Sequence, residues 1–279
     1  MKALALFAAS FLFFTCTQSP FDNAIAPEPV TITGRVDLLD TTNDEKGVYV
    51  WLSGLNLGAH TDSTGAFLIE LPKNVNRDLN GVFNLYFYVA NYNLRVAEVV
   101  IRNGQFLYGA GDITDKGRLK ETVKMFKILD IKTIVDPPVV RRLYEGPIDM
   151  QVTLQATVDS VSVIFPKSIG GLLGGIFFRH LQTGKIYIDI PGEGADTRET
   201  VTIGREPKSR RQVFQLNGAN FRSLFLPVGN YQVIPFFFVA HENFPEALYR
   251  SLGEHAEDLN ADYLKIPFRR EDGRFQVID

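Results

Sequence analysis

Residues 30–72 read VTITGRVDLLDTTNDEKGVYVWLSGLNLGAHTDSTGAFLIELP, and this stretch encodes three β-strands separated by two turns. From Thr31 onward, β-branched and apolar residues alternate with polar ones, as in a half-buried strand. A second strand opens after Gly47, and its successive side chains fall on opposite faces. The turn DSTG ends in Gly65, which is free to take a positive φ, and a third strand follows it. The stretch therefore predicts the construction of a β-sandwich.

The order of motifs in this stretch resembles the carboxypeptidase regulatory-like domain. The motifs are G-x-V, then G-V-x-V-x-L, then T-D-x-x-G-x-F and a closing L-P. That domain is a small transthyretin-like (starch-binding-like) β-sandwich, which occurs as an accessory module in secreted bacterial proteins. The resemblance covers residues 30–104 and implies a fold. Because members of the family do different jobs, it implies no particular activity.

The N-terminus predicts export and lipid attachment. Lys2 is followed by an apolar run that ends just before Cys16, the only cysteine in the chain. A charged start and a short apolar core are typical of a signal peptide, and a bilayer span takes about 20 residues. The end of the run resembles the lipobox of bacterial lipoproteins, which implies lipidation of Cys16, although Phe13 and Thr15 depart from the usual residues. A conventional signal peptide with an incidental cysteine is the alternative.

Four segments are expected along the chain. The predicted boundaries are 1–16 for the lipoprotein-type signal peptide, 17–29 for a linker, 30–138 for the first sandwich and 147–279 for the second. The pair Pro137 and Pro138 stops an extended segment and marks the boundary between the two sandwiches.

The predicted fold class is all-β, with two β-sandwich domains and one short helix near the C-terminus. Short alternating strands separated by glycine turns run through the second half of the chain, which favours a sandwich there. The helix is expected over residues 244–258, because Asn243 can cap it and Pro245 suits its first turn.

Four aromatic residues predict a shared surface on the first sandwich: Tyr49, Trp51, Tyr86 and Tyr88. They alternate with apolar residues in two strands, so they should point away from the core of that domain. If the two strands are neighbours, the four rings form one face. Aromatic platforms stack on sugars and large apolar patches mark contact sites, so this face is the candidate ligand-binding site. Packing of the face against the second domain or against a later strand is the alternative, and the apolar area of such large side chains favours it.

The residue types that usually carry catalysis or metal binding are not arranged for either. The four histidines lack a metal-binding spacing, no serine lies in a G-x-S-x-G motif, and Cys16 is assigned to the anchor. Residues 258–262 open like a calcium loop, but Tyr263 and Arg269 stand where glycine and glutamate are required. The glycine-rich residues 170–175 lack the G-K-[ST] ending of a phosphate loop. We therefore expect no enzyme activity, no cofactor and no metal.

These observations predict a non-enzymatic, lipid-anchored envelope protein that acts as a binding or scaffold module. The lipobox resemblance implies the outer membrane, facing either the periplasm or the outside. The expected partners are the membrane, reached through the lipid, and another envelope protein or a polysaccharide. A formal net charge of −3 gives no reason to expect a nucleic acid. The alternative function is a glycan-binding lipoprotein that uses the face of four aromatic residues.

Overall fold

The computed structural model describes residues 29–39, 44–168, 170–189, 197–216 and 224–279. Most of the regular structure in these ranges is strand, so the predicted all-β fold class is confirmed. In chain order the elements are β1 (Thr31–Leu38), β2 (Tyr49–Leu52), β3 (Leu57–His60), β4 (Ala66–Glu70), β5 (Gly81–Tyr88), β6 (Arg95–Arg102), β7 (Gln105–Phe106), β8 (Val123–Met125), β9 (Leu129–Asp136), β10 (Val139–Arg141), β11 (Ile148–Ala156), β12 (Ser160–Pro166), β13 (Ile176–His180), β14 (Ile186–Asp189), β15 (Arg198–Gly204), β16 (Lys208–Phe214), β17 (Gly229–Pro235), β18 (Phe238–Val239), helix α1 (Ala247–Leu252), a 3-10 helix (Ala261–Lys265) and β19 (Gly273–Ile278).

The first unit is a sandwich-like pair of sheets that enclose one apolar core. One sheet has the strand order β4–β1–β8, and the other has the order β3–β2–β5–β6–β7. The three strands expected in residues 30–72 are β1, β2 and β4, and the structure adds β3 between the last two. Val36, Val50 and Phe87 are completely buried in the core. The inward alternation read from the sequence therefore gives the correct core face.

The turn before β4 is built as its residue types predict. Gly65 has a φ of +79°, and a Cβ added there would lie 2.0 Å from the carbonyl oxygen of Val36. The Asp62 carboxylate accepts hydrogen bonds from the backbone N–H groups of Thr64 and Ala66 at 2.8 and 3.1 Å. The hydrogen bond from the Thr64 hydroxyl is the main cause that lowers the pKa of Asp62. This turn therefore requires a glycine at its end and an aspartate at its start.

The second unit consists of three sheets around a larger apolar core. Their strand orders are β10–β19–β17–β13–β14, β16–β11–β9 and β15–β12–β18. Val163, Phe178 and Tyr231 lie at the centre of this core and are fully buried. Among the described ranges, no helix combines the length and the apolar character that crossing a bilayer requires.

The boundary between the two units lies earlier than predicted. Strand β9 comes before the Pro137–Pro138 pair, yet it pairs with β11 from Leu129 opposite Ala156 to Asp136 opposite Asp149. Its inward side chains belong to the core of the second unit. The prolines end a strand without ending the unit, because the chain turns there and β11 returns beside β9. The first sandwich therefore stops before residue 129, not at residue 138.

The helix near the C-terminus is shorter than the 15 residues expected. Helix α1 has 6 residues, and its N-cap, Glu246, makes no side-chain capping bond. Asn243 does not cap it and takes a left-handed conformation, with a φ of 54°. The helix ends at Gly253, which has an extended backbone. Such a short helix is stabilised by burial of one face, here Leu248, Tyr249 and Leu252, rather than by its own hydrogen bonds.

Candidate functional site

The four aromatic residues singled out in the sequence lie on one face, but that face is not exposed. Strands β2 and β5 are neighbours, with Tyr49 opposite Tyr88 and Trp51 opposite Tyr86. The exposed fractions of Tyr49, Trp51 and Tyr88 are 5%, 3% and 0%, and only Tyr86 is partly exposed. The prediction of an exposed platform is therefore wrong, because the second unit covers the face. The alternative of packing between the domains is what the structure shows.

The buried face forms a third apolar cluster, which we call the aromatic junction. It joins Tyr49, Trp51 and Tyr88 of the first unit to side chains of β13, the β17–β18 segment, α1 and the 3-10 helix. Its members from the second unit include Phe177, Phe236, Phe238, Tyr249 and Tyr263. Burying large aromatic side chains stabilises a protein by roughly 1.5–3 kcal/mol each. The junction therefore fixes the two units to each other.

Two tyrosines of the first unit form hydrogen bonds across the junction through their hydroxyl groups. The hydroxyl groups of Tyr88 and Tyr249 lie 3.2 Å apart, and the hydroxyl of Tyr49 donates to the Ser251 side chain at 3.0 Å. Burial is the main cause that raises the pKa of all three tyrosines. The indole N–H of Trp51 is satisfied within its own unit by the side-chain oxygen of Asn56 at 3.0 Å. These polar tips are therefore paired inside an otherwise apolar contact.

A buried asparagine ties the units together beside the junction. Asn91 is 0% exposed, and its side chain donates to the carbonyl oxygens of Leu129 and Arg269 at 3.0 and 2.7 Å. Its side-chain oxygen accepts from the backbone N–H of Arg269 at 2.9 Å. Next to it, the N–H of Ala90 donates to the carbonyl of Pro267 at 2.8 Å. Sequence reasoning missed Asn91, because one asparagine between two strands carries no pattern.

An open cleft of about 810 Å³ lies where the two units meet, and we call it the junction cleft. Asp44 contributes from the first unit, and three segments of the second unit supply the rest of the lining. These are Lys127, Asp130, Ile131 and Lys132 at the start of β9, Thr153 and Gln155 on β11, and Phe268, Arg269, Arg270 and Glu271 before β19. No sequence pattern indicates this site, because its residues come from separate parts of the chain.

The charges in the junction cleft are paired. Lys127 lies 3.2 Å from Asp130, Lys132 lies 3.8 Å from Glu271, and Arg269 lies 3.8 Å from Asp44. Because each cation has a carboxylate nearby, the cleft offers no uncompensated charge to a strongly ionic ligand. Together with the Thr153 and Gln155 side chains, it offers hydrogen-bond donors and acceptors to a polar one.

Arg270 forms the inner wall of the junction cleft. Its guanidinium lies 4.3 Å from the centre of the Phe268 ring and 2.8 Å from the Asp272 carboxylate. The side chains of Arg270 and Asp272 are only 6% and 13% exposed. This wall is therefore a packed part of the structure, whereas the side chains of Asp130, Lys132 and Glu271 in the same cleft are mostly exposed.

The histidines do not converge on one site. His60 lies against Tyr49, His180 against Tyr231, and His255 beside Asp258, whereas the Nε2 atom of His241 lies 2.9 Å from the carbonyl oxygen of Ala90. In the part of the chain that the structure describes, no three His, Cys, Asp or Glu side chains are grouped so that they could hold a metal ion. The calcium-like segment is a helix start, since the Asn260 side chain accepts from the N–H of Asp262 at 3.1 Å.

The glycine-rich segment is held by an ion pair, because Arg210 donates a hydrogen bond to the carbonyl oxygen of Leu172 at 3.2 Å. Arg210 forms two hydrogen bonds with the Glu199 carboxylate, at 2.6 and 3.0 Å, and these are the main cause that lowers the pKa of Glu199. The Ser168 hydroxyl donates to Glu199 at 2.9 Å, and the Arg210 guanidinium lies 4.1 Å from the centre of the Phe165 ring. The cation beside the glycines is thus already paired with a carboxylate, unlike the lysine of a phosphate loop.

The predicted lipidation site, Cys16, lies outside the described residues, as do the signal peptide and all but the last residue of the linker. Their assignments stay predictions.

Comparisons with known proteins do not assign this chain to a family. No family model matches it, and no curated protein matches it. A solved structure that matches is that of the Pseudomonas fluorescens alkylpurine DNA glycosylase AlkC bound to DNA containing an abasic site analog. The identity is 12%, the match covers 40% of this chain and 30% of that chain, and the TM-score is 0.25.

This comparison corrects one expectation from the sequence. The sequence predicts that the chain is not an enzyme, whereas the matched structure is that of an enzyme, so the prediction is contradicted and we withdraw it. A TM-score of 0.25 shows no shared fold, so the match gives this chain neither a glycosylase activity nor a DNA ligand.

Proposed function

We propose that this chain is a lipid-anchored protein of the bacterial cell envelope that acts as a binding or scaffold module. The observation that carries the proposal is the aromatic junction, which holds the two units in one fixed arrangement with the junction cleft at their meeting point. A scaffold needs a fixed geometry, and a binding module needs a concave polar surface on rigid elements. The aromatic junction supports the first requirement, and the junction cleft supports the second.

The anchor in this proposal is a lipid on Cys16, at the outer membrane. Its support is the sequence: a charged start, a short apolar run and the only cysteine of the chain at the end of that run. Stable attachment by lipid requires more than one acyl chain, which a lipoprotein cysteine carries. The first unit is proposed to be a carboxypeptidase regulatory-like domain, supported by the motif order of residues 30–72 and by the strands that they form.

The glycan-binding alternative is not proposed for the aromatic face. Sugar stacking requires exposed rings, and Trp51 is 3% exposed beneath the second unit. A polysaccharide stays a candidate ligand only for the junction cleft, where hydroxyl, amide and charged groups are accessible.

A Cys16→Ser variant tests the anchor. We expect the variant to leave the membrane fraction and to lose incorporation of labelled palmitate, because the acylated side chain is gone. Thr15→Ala is the matched control, since alanine is usual at that lipobox position, and it should keep both properties. If Cys16→Ser stays in the membrane fraction, the proposed anchor is wrong.

Photo-crosslinking from two positions on β11 tests the cleft. A photoreactive residue at Gln155, which lines the cleft, should give a discrete adduct with an envelope component in intact cells. The same residue at Gln151 is the control, because Gln151 faces the same side of β11 but does not line the cleft. Equal adducts from both positions, or none from Gln155, would contradict the proposed use of the cleft.

A further inference from the structure

A second concave site is lined by residues of β12, β18 and α1 and by His241, and we call it the His241 pocket. Its volume is about 190 Å³. Its floor is formed by Ile164 of β12 and Phe238 of β18, which pair in the sheet, and its walls by His241, Phe244 and Tyr249. A drug-sized ligand needs roughly 300–1,000 Å³, whereas a cavity of about 150 Å³ holds a benzene ring. The pocket therefore fits a single ring or a branched side chain.

The walls of the pocket are rigid and apolar. The ring centres of Phe244 and Tyr249 are 4.5 Å apart, and those of Phe238 and Tyr249 are 5.3 Å apart. The His241 ring stacks on Phe244, with a centre-to-centre distance of 5.9 Å. Burial lowers the pKa of His241 to about 4, so the ring is neutral at pH 7. The pocket thus presents aromatic surface and no charge on its inner wall.

The hydrogen bond between His241 and the Ala90 carbonyl determines which nitrogen of the neutral ring carries the proton. Because the Ala90 carbonyl oxygen can only accept, the Nε2 atom, at 2.9 Å, must donate to it. In the neutral ring the Nδ1 atom is then an acceptor, and no hydrogen bond to it occurs among the described residues.

Two opposite charges stand at the mouth of the pocket. Arg198, the first residue of β15, and Glu257, which follows α1, both line it. Within the described ranges, neither side chain forms an ion pair or a side-chain hydrogen bond. The Glu257 carboxylate also contributes to the raised pKa of Tyr249, which places its charge close to the pocket wall. Unlike the cations of the junction cleft, Arg198 is therefore free to bind a ligand carboxylate.

We propose that the His241 pocket binds a free α-amino acid with an aromatic or branched apolar side chain. The side chain enters the aromatic enclosure, Arg198 pairs with the carboxylate, and Glu257 pairs with the ammonium group. A purely anionic ligand is repelled by Glu257 and a purely cationic one by Arg198, so the two charges together favour a zwitterion. This proposal does not depend on the lipid anchor or on the junction cleft.

Calorimetric titration of L-phenylalanine into the full-length protein tests the proposal. We expect one site per chain. Removing either charged group of the ligand should weaken binding about tenfold or more, since each loses a charge-assisted hydrogen bond. The probes are 3-phenylpropionate, which lacks the ammonium group, and phenethylamine, which lacks the carboxylate. Glycine, which has both charges but no side chain, should not bind.

Four variants assign the binding to this pocket. Arg198→Gln and Glu257→Gln should each weaken phenylalanine binding about tenfold, while the thermal unfolding midpoint stays unchanged because both side chains are exposed and unpaired. Arg95→Gln and Glu254→Gln change exposed charges outside the pocket and should leave binding unchanged. Arg198→Gln should not weaken the binding of phenethylamine, which has no carboxylate to pair with Arg198 and whose positive charge Arg198 repels.

Three results would overturn the proposal: no heat with millimolar phenylalanine, binding that both pocket variants leave intact, or tighter binding of an N-acetylated peptide that ends in phenylalanine. The last result would identify the site as a peptide C-terminus reader, because that ligand has no ammonium group for Glu257.

Discussion

Trp51→Ala is expected to lower the free energy of unfolding by about 3–5 kcal/mol, the usual cost of truncating a buried tryptophan. Trp51 is 3% exposed and packs in the aromatic junction between the two units. Its loss leaves a cavity that the surrounding rings cannot fill, because they are fixed by other contacts in the same cluster. The change should also uncouple the units, so that one cooperative transition becomes two.

Denaturant unfolding followed by circular dichroism measures this effect. Phe126→Ala is a suitable control, because Phe126 is also aromatic but is 44% exposed. Its truncation should lower the free energy of unfolding by about 1 kcal/mol or less. Tyr49→Phe removes only the hydroxyl that donates to Ser251 and should cost about 1 kcal/mol. In the wild-type protein, the fluorescence of the single tryptophan should report opening of the junction directly.

The same variant separates an interface from a binding platform. If Trp51 served a ligand, Trp51→Ala would abolish binding and leave the stability of the protein intact. We expect Trp51→Ala to lower the stability of the protein. Any loss of ligand binding should follow only from that lower stability. A variant as stable as the wild type would show that the two units do not depend on this contact.

The local pattern of the sequence predicts faces and turns well, because those depend on neighbouring residues. Alternation placed Tyr49, Trp51 and Tyr88 on the face of the sheet opposite Val50, and the structure agrees. Which part of the molecule covers that face depends on contacts between residues about 200 positions apart, as in the Tyr49–Ser251 hydrogen bond. The sequence pattern leaves that choice open, and the packing of the second unit decides it.

The predicted domain boundary is wrong for a similar reason. A proline pair correctly predicts the end of β9, since proline cannot continue a strand ladder. It does not say to which unit the strand belongs, and that is decided by pairing with β11. The junction cleft and the His241 pocket were both missed because each collects residues from several separate segments. The cleft forms only because Asp44 and residues of the second unit lie next to each other in space.

Acidification is expected to destabilise the protein through His241, by an amount of about 3 kcal/mol between pH 6.5 and pH 4. Burial is the main cause that lowers the pKa of His241 to about 4 from its ordinary value of 6.5, and the hydrogen bond to the Ala90 carbonyl opposes it in part. The unfolded chain therefore binds a proton near pH 6.5, whereas the folded chain does so only near pH 4. Between these values the unfolded state holds more protons, so stability falls as the pH falls.

Comparison with His241→Gln isolates this contribution from the carboxylates, which titrate in both proteins. Urea unfolding at half-unit steps between pH 8 and pH 4 should show a wild-type advantage that shrinks by about 3 kcal/mol across the window, since one pKa unit corresponds to about 1.4 kcal/mol. His255→Gln is the control for the substitution itself, because His255 is an exposed histidine outside the pocket. If the stability of His241→Gln depends on pH in the same way as that of the wild type, the ring is not held neutral by the fold, and the inner wall of the pocket carries a charge that an apolar side chain would avoid.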